Sequence, residues 1–439
     1  MNINAATIKV EWKFLLILYL GVLLLFPVDF YRFSFSLPFD VQFDRIAAVL
    51  VLGLWAIALL IDPKQQLRGS SLDYPVIFFV LVIILSLLAN ALLLDKSALF
   101  GVSAKRTLYI LSVIFIFYFI TSNLHQIEQV EFVLKFATVV VSIIGFFAIL
   151  EFATGFNIFR HIHQMMPFLE FNPEEVTKFW QRTGRNRVFG SAEHPIALGL
   201  LLVMPVPIAL HYYEYAKTKM AKNFYAVCLL LLLGSIFTVV SRTPLVALGV
   251  IFLILAFNGP TRILRLLLFL IPVLIVVHML LPGLLGGLRE LLSLSYFQQR
   301  EIGNPYGRFA DYPRMWSLFF EQPLFGRGYG WWDNYKLFYV DNQYLKFLVE
   351  LGLAGILSVF WLFFKLLKEL VKSAKTATSE HKDLLISIAA TCSSFVVALI
   401  LFDTFSFAQV TYFFFILAAL GLTLSKFVKR EVVGEVSAE

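Results

Sequence analysis

The chain has 439 residues, 59% hydrophobic and only 15% charged, with a mean hydropathy of +0.82, against about 45–50% apolar residues in soluble domains. This excludes a soluble globular protein and predicts an all-α polytopic membrane protein. The formal charge of +7 comes with no soluble basic domain, zinc motif or basic-aromatic platform to hold nucleic acid, and Cys228 and Cys392, both inside apolar runs, offer neither a disulfide framework nor a zinc cluster.

In chain order, apolar runs able to cross about 30 Å of hydrocarbon fall near 14–28, 45–61, 74–94, 107–121, 132–152, 194–213, 223–241, 243–257, 264–282, 343–364, 384–402 and 408–425. About twelve spans are expected, several of them short enough to imply tilt or shifted boundaries. The first follows Lys9 and Lys13 as a signal sequence would, but no small-x-small cleavage pattern follows, so it is read as a retained span. The expected organisation is an N-terminal set of helices (1–152), a first outer loop (153–193), central helices (194–282), a large outer loop with short helices (283–342), C-terminal helices (343–425) and a tail (426–439).

The loops at 217–222, 262–265, 365–382 and 426–430 are short, basic and mostly lysine, which places them and both termini in the cytoplasm by the positive-inside rule. The segment 368–383 reads as a solvated linker. Bases on the opposite face are mostly arginine: Arg32, Arg106, Arg160, Arg182, Arg185, Arg187, Arg242, Arg289, Arg300, Arg308, Arg314 and Arg327. Lysine serves topology as a point charge, whereas arginine presents a planar fork suited to phosphate or carboxylate. Pairing with lipid phosphates is the alternative reading of any one of them.

Three stretches on the arginine side carry candidate chemistry. In QRTGRNRVFGSAEHPIALG (181–199), Arg182, Arg185 and Arg187 can converge if the chain turns at Gly184 and Gly190, and Glu193 and His194 stand before Pro195, either as ligand groups or as caps of the next helix. Arg242, in the Ser-Arg-Thr-Pro turn at 241–244, lies so close to hydrocarbon that it must snorkel, pair or meet a ligand.

The third stretch runs from Arg308 to Asp341. Asp311 is expected to cap a short helix starting at Pro313, with Met315, Trp316, Leu318 and Phe319 turned to the membrane surface and Arg314 elsewhere, ending at Pro323. PLFGRGYG (323–330) predicts a compact loop whose amides could face an anion. Asp341 is a plausible N-cap of the following span. Glu350, deeper in that span, should pair with an arginine or a backbone donor.

Taken together, Ser241-Arg242, the Arg308 to Trp316 run, PLFGRGYG and DNQYL…ELGLAG (341–355) resemble the O-antigen ligase and O-antigen polymerase superfamily. The resemblance implies a GT-C-type glycosyltransferase using neither cofactor nor metal, acting at the periplasmic face of the bacterial inner membrane on undecaprenyl-diphosphate-linked glycan. It implies a glycan or lipid-linked acceptor, contact with membrane lipids, no nucleic acid, and a chain-length regulator or other assembly protein as partner.

Related ligases place a histidine, proposed to activate the acceptor, where this chain has Asp341; that departure favours a polymerase-like or less defined member, with a ligase transferring glycan to lipid A-core as the alternative. The resemblance further implies that Arg187, Arg242 and either Arg308 or Arg314 neutralise the leaving diphosphate while Asp341 orients or deprotonates the acceptor hydroxyl. Arg185, Glu193, His194, Arg327, Asn342, Tyr344 and Glu350 would line the substrate. Tyr329, Trp331, Trp332 and Tyr335 would stack on sugars, unless they form an interfacial aromatic belt. A lipid-linked glycan transporter is the rival class, disfavoured because no internal repeat stands out and the polar residues collect on one face.

Overall fold

A computed structural model describes residues 11–27, 30–33, 42–171, 181–182, 185–280, 312–332 and 340–436. Hydrocarbon offers no water to a bare peptide group, so apolar runs satisfy their backbone internally as helices. In chain order these are α1 (Trp12–Leu25), α2 (Phe43–Ile61), α3 (Asp73–Ala89), α4 (Ala91–Lys96), α5 (Phe100–Asn123), α6 (Ile127–Thr154), α7 (Pro195–Val203) and α8 (Val206–Glu214). There follow α9 (Lys219–Thr238), α10 (Arg242–Asn258), α11 (Pro260–Leu280), α12 (Tyr312–Glu321), α13 (Gln343–Ala374), α14 (Ser379–Ala398) and α15 (Ala408–Val436). Among the described residues, nine helical segments are long and apolar enough to cross a membrane, α7 and α8 counting as one; α1, α3 and α10 are shorter apolar helices.

Two crossing segments form the centre of the bundle. The α7–α8 pair is 94% buried and α15 89% buried, whereas α2 and α11 turn most of their apolar surface outward. Around them α6 packs on α9, α10 on α14, α13 on α3 and α15 on α5. Short strands tie the loops at one end: β1 (Tyr31–Phe33) pairs antiparallel with β2 (Leu169–Phe171), and β3 (Gln181–Arg182) with β4 (Arg185–Asn186).

Helix ends sort onto two faces. At one, Gln409 Nε2 donates to the carbonyls of Leu23 and Ser191, and Gln343 N to that of Leu399, gathering the ends of α1 and α14 with the starts of α7, α13 and α15. We call this the Asp341 face. At the other, Arg68 N donates to Ser122 Oγ and Lys429 Nζ to Glu369, which gathers the α2–α3 turn, the end of α5, and the distal parts of α13 and α15.

Two expectations at this second face are corrected. The segment 368–383 is not a linker: α13 runs on to Ala374 and α14 begins at Ser379. Its Leu, Lys, Glu and Ala residues are strong helix formers, Leu366 and Leu370 are buried, and Lys365 pairs with Glu369 one turn on. Nor is Arg262 a mere topological charge. It is 3% exposed, with Nε 2.9 Å from Glu214 and Nη2 3.0 Å from Ser387 Oγ. Losing one partner of such a buried pair costs about 3–5 kcal/mol.

Candidate active site

The segment entering α7 is held from every side. The carboxylate of Glu151, at the end of α6, accepts from the amides of Phe189 (3.3 Å) and Gly190 (2.8 Å). Asn157 Nδ2 donates to Gly190 O, and Ser191 Oγ donates to Leu24 O. Gly190 has φ +55, and a Cβ there would lie 3.1 Å from Leu198. This frame fixes Arg187, which is buried, and Glu193, which is half-buried.

His194 caps α7: its Nδ1 accepts from Ile196 N at 3.1 Å, with Pro195 following at the first helical position. An Nδ1 that accepts an amide hydrogen leaves the ring proton on Nε2. The ring stacks on Phe402, 5.3 Å between centroids. The capping alternative therefore holds for His194. Arg182 and Arg185 lie opposite each other in the β3–β4 hairpin; the intended turn at Gly184 lies outside the described residues.

Arg242 is the first residue of α10 and half-buried. The preceding Val240 has φ +48, a conformation that costs a β-branched residue about 1–3 kcal/mol and persists only where surroundings impose it. Part of that imposition is the contact of Pro244 with Gly199 of α7, where a Cβ would meet Pro244 Cγ at 2.1 Å. The first turn of α10, which begins with Arg242, thus sits against α7, which His194 caps.

The stretch ending at Asp341 differs most from expectation. Arg308, Asp311 and Tyr335 lie outside the described residues, as do Arg289 and Arg300. In α12, Arg314 is exposed, but the helix does not lay its whole apolar face outward: Met315 and Leu318 bury against Leu94, Trp331, Trp332, Val340 and Val349, leaving Trp316 and Phe320 exposed.

The glycine loop is a clamp on α13 and not an anion nest. Gly352 breaks that helix with φ 68 and ψ −161, freeing backbone groups on both sides. The loop takes them up: Arg327 N donates to Val349 O and Gly328 N to Glu350 O, while Leu353 N donates to Pro323 O and Ala354 N to Leu324 O. Ser86 Oγ reaches Phe325 O and Glu350 O, and Asn90 Nδ2 reaches Gly326 O. Gly326 has φ +62, and a Cβ there would lie 2.4 Å from the Glu350 backbone. Two amides expected to face an anion are committed to carbonyls.

The clamp decides the role of its side chains. Tyr329, Trp331 and Trp332 are 4%, 8% and 6% exposed, so their rings build core and offer no open face to a sugar. Arg327 pairs with Glu321 and lies over the Trp331 ring. Glu350 is fully buried and accepts from Trp332 N at 2.9 Å, the backbone-donor alternative of the two expected. Tyr344 donates to Val396 O and stacks on Phe360, fastening α13 to α14.

Asn342, not Asp341, caps α13: its Oδ1 accepts from Leu345 N at 3.2 Å. Its Nδ2 is 3.1 Å from Tyr312 Oη, which ties the start of α12, two residues before Arg314, to the corner occupied by the half-buried Asp341. The capping reading of Asp341 passes to its neighbour.

Beside these residues lies a cleft of about 410 Å³ between α2, α5 and the start of α15. Glu193 and Arg106 line it, together with Asp44, Arg45, Lys105 and Tyr412, against an apolar wall that includes Val49, Leu52 and Leu108. Arg106 also lines a much smaller cavity with Lys346, Glu350 and Ser406. Lys346 is 5% exposed and donates to Ser406 Oγ at 2.8 Å. Sequence reasoning missed Asp44, Arg45, Lys105 and Lys346. The signal was present as adjacent charges, Asp44-Arg45 and Lys105-Arg106, which read as span boundaries; α5 in fact begins at Phe100, so Lys105 and Arg106 lie inside a helix. Among the described residues no group of His, Cys, Asp or Glu is placed to hold a metal ion.

Cations, a fixed neutral histidine, carboxylates and an apolar wall on one face suit an anionic amphiphile and proton transfer beside it. No curated protein matches the chain. Residues 227–360 match the family model described as O-antigen ligase, a segment that contains Arg242, Arg314, Asp341 and the glycine clamp. Over this segment the chain is similar to the O-antigen ligase family, which supports the resemblance to the O-antigen ligase and polymerase superfamily read from its motifs.

Proposed function

We propose that the protein is a twelve-span glycosyltransferase of the bacterial inner membrane that extends a surface polysaccharide, with the Asp341 face periplasmic. It would transfer glycan from undecaprenyl diphosphate to a sugar hydroxyl. The observation that carries this is the grouping of Arg242, Asp341 and Arg314 at helix starts on one face, within the segment that matches the family. In the reaction the acceptor oxygen bonds to the anomeric carbon, and its proton passes to the Asp341 carboxylate. The bond from that carbon to the diphosphate oxygen breaks, and the electron pair leaves with the diphosphate. Arg242, Arg187 and Arg314 oppose the charge that develops there, the task that usually supplies most of the acceleration.

The cleft lined by Arg45, Lys105, Arg106 and Glu193 gives the carrier an approach along an apolar wall. Asp341 in place of the ligases' histidine favours polymerisation over transfer to lipid A-core. A transporter is the second class, and the one-sided collection of polar groups weighs against it.

The test is transfer by purified protein in proteoliposomes supplied with undecaprenyl-diphosphate glycan. Arg242→Ala and Asp341→Asn should each slow product formation by about 10²–10³-fold, the range for losing one such group. Undiminished transfer by either variant overturns the mechanism, and movement of the glycan across the bilayer without transfer supports the transporter.

A further inference from the structure

At the face opposite Asp341, a crevice of about 190 Å³ opens between the 69–71 turn, the end of α5 and the distal half of α15. At the ~30 Å³ that a water occupies in the liquid, this is room for about six waters. Its wall carries both hydroxyls and cations: Ser71, Thr121, Thr423 and Ser425 bring hydroxyls, and Lys426 and Lys429 line it too.

The charges around it do not cancel. Glu369, the carboxylate of the wall, is already taken by Lys429 at 2.7 Å and Lys365 at 3.4 Å. Asp73, the carboxylate whose charge acts on Lys426, also accepts from Ser70 N and Tyr118 Oη, both at 2.8 Å, and offsets one positive charge. What remains is Lys426 with Arg68 and Arg430 as its charged neighbours. Lys426 and Arg430 stand four residues apart on one helix, where like charges repel. Arg68 Nη1 is 3.2 Å from His125 Nδ1, and partial burial, then the cations Arg68, Lys426 and Arg430, hold that imidazole below its ordinary value. The histidine is therefore neutral at pH 7 and adds no charge.

Bases that only orient a chain need reach no further than water. Here Lys426 lines a recess edged by hydroxyls, and Arg68 and Arg430 act on it from beside the recess, together more positive charge than Asp73 offsets. Thr423 and Ser425 now donate to the carbonyls of Ala419 and Gly421, and rotation about χ1 can turn such a hydroxyl to a stronger acceptor. We propose that this crevice is a phosphate-binding site, in which Lys426, Arg68 and Arg430 hold the headgroup phosphate of an anionic phospholipid or a free phosphate, with Ser425 and Thr423 completing the shell. The site is independent of the transfer chemistry at the Asp341 face.

The test is the thermal unfolding of purified, delipidated full-length protein in neutral detergent, titrated with phosphatidylglycerol, phosphatidylcholine or inorganic phosphate. Phosphatidylglycerol should raise the unfolding temperature saturably, and phosphatidylcholine should not. Inorganic phosphate that reproduces the rise identifies a free-phosphate site, whereas no response to it identifies a lipid site. Lys426→Gln/Arg430→Gln should need about tenfold or more ligand for half the effect, as expected for lost charge-assisted hydrogen bonds. Lys372→Gln/Lys375→Gln, at exposed bases on the same face, should respond as the parent does.

Arg430→Gln alone, at an exposed position, keeps the comparison valid should the double variant unfold. The proposal fails if neither phosphate source stabilises the parent, if the crevice variants respond as the parent does, or if the control pair loses the response equally.

Discussion

Replacing Gly352 by alanine tests whether the glycine loop is a clamp. At φ 68 and ψ −161 this residue occupies a region open essentially to glycine alone, which costs any other residue about 1–3 kcal/mol. The added Cβ would also stand 2.4 Å from Leu324 O and 2.7 Å from Pro323 O. Relief to ordinary contact, about 3.4 Å, moves the loop outward by roughly 1 Å. That stretches Leu353 N→Pro323 O from 2.8 Å and Ala354 N→Leu324 O from 3.2 Å beyond useful geometry, at about 0.5–1.5 kcal/mol each.

The sum is about 2–6 kcal/mol. Gly53→Ala is the control: Gly53 lies inside α2 with nothing within 4 Å of a Cβ, so alanine there gains about 0.5–1 kcal/mol of helix propensity. Thermal unfolding in detergent should place Gly352→Ala several degrees below the parent and Gly53→Ala at or slightly above it. Coincident melting of the two variants would refute the clamp, because nothing else in the two substitutions differs in kind.

Two further outcomes follow from particular contacts. Glu350→Gln keeps a carbonyl oxygen for Trp332 N and should be tolerated, while Glu350→Leu strands that buried amide at about 1–3 kcal/mol; equal melting of the two variants would count against the contact. A reporter fused after Gly303 should register outside the cytoplasm and one after Thr376 inside, and the reverse result would move the Asp341 face, and the site with it, to the wrong side for a lipid-linked donor.

The helices were legible in the sequence and most of the site's wiring was not. Within the described residues each apolar run falls on a helix, or on a consecutive pair as at α3–α4 and α7–α8, because in hydrocarbon composition alone forces backbone satisfaction within the segment. The break at Met204 and Pro205 was hidden by the same logic, since both halves are apolar. Trp331 and Trp332 looked like sugar platforms because aromatic residues near a membrane edge read the same whether their rings face water or core. Only the contacts with Leu94, Met315 and Val349, remote in sequence, decide it. Lys346 was invisible for a similar reason: its partners at Asp403 and Ser406 lie in a different helix junction.

The helix starts at the Asp341 face share a pattern that bears on chemistry. At α7 the cap is His194 and the residue before it Glu193; at α13 the cap is Asn342 and the residue before it Asp341. At α10 Ser241 occupies the cap position and Arg242 follows. At α7 and α13 the neighbour takes the backbone role, so the charged residue is not consumed in closing the helix, whereas at α10 the Ser241 side chain makes no capping hydrogen bond. The three starts are linked in space: His194 stacks on Phe402, Gln343 N donates to Leu399 O, and Pro244 of α10 packs on Gly199 of α7. Each helix start carries the equivalent of about half a positive charge. Three of them on one face would favour the diphosphate leaving group proposed above before any arginine is counted, and the arginines would then add geometry to a field the fold already supplies.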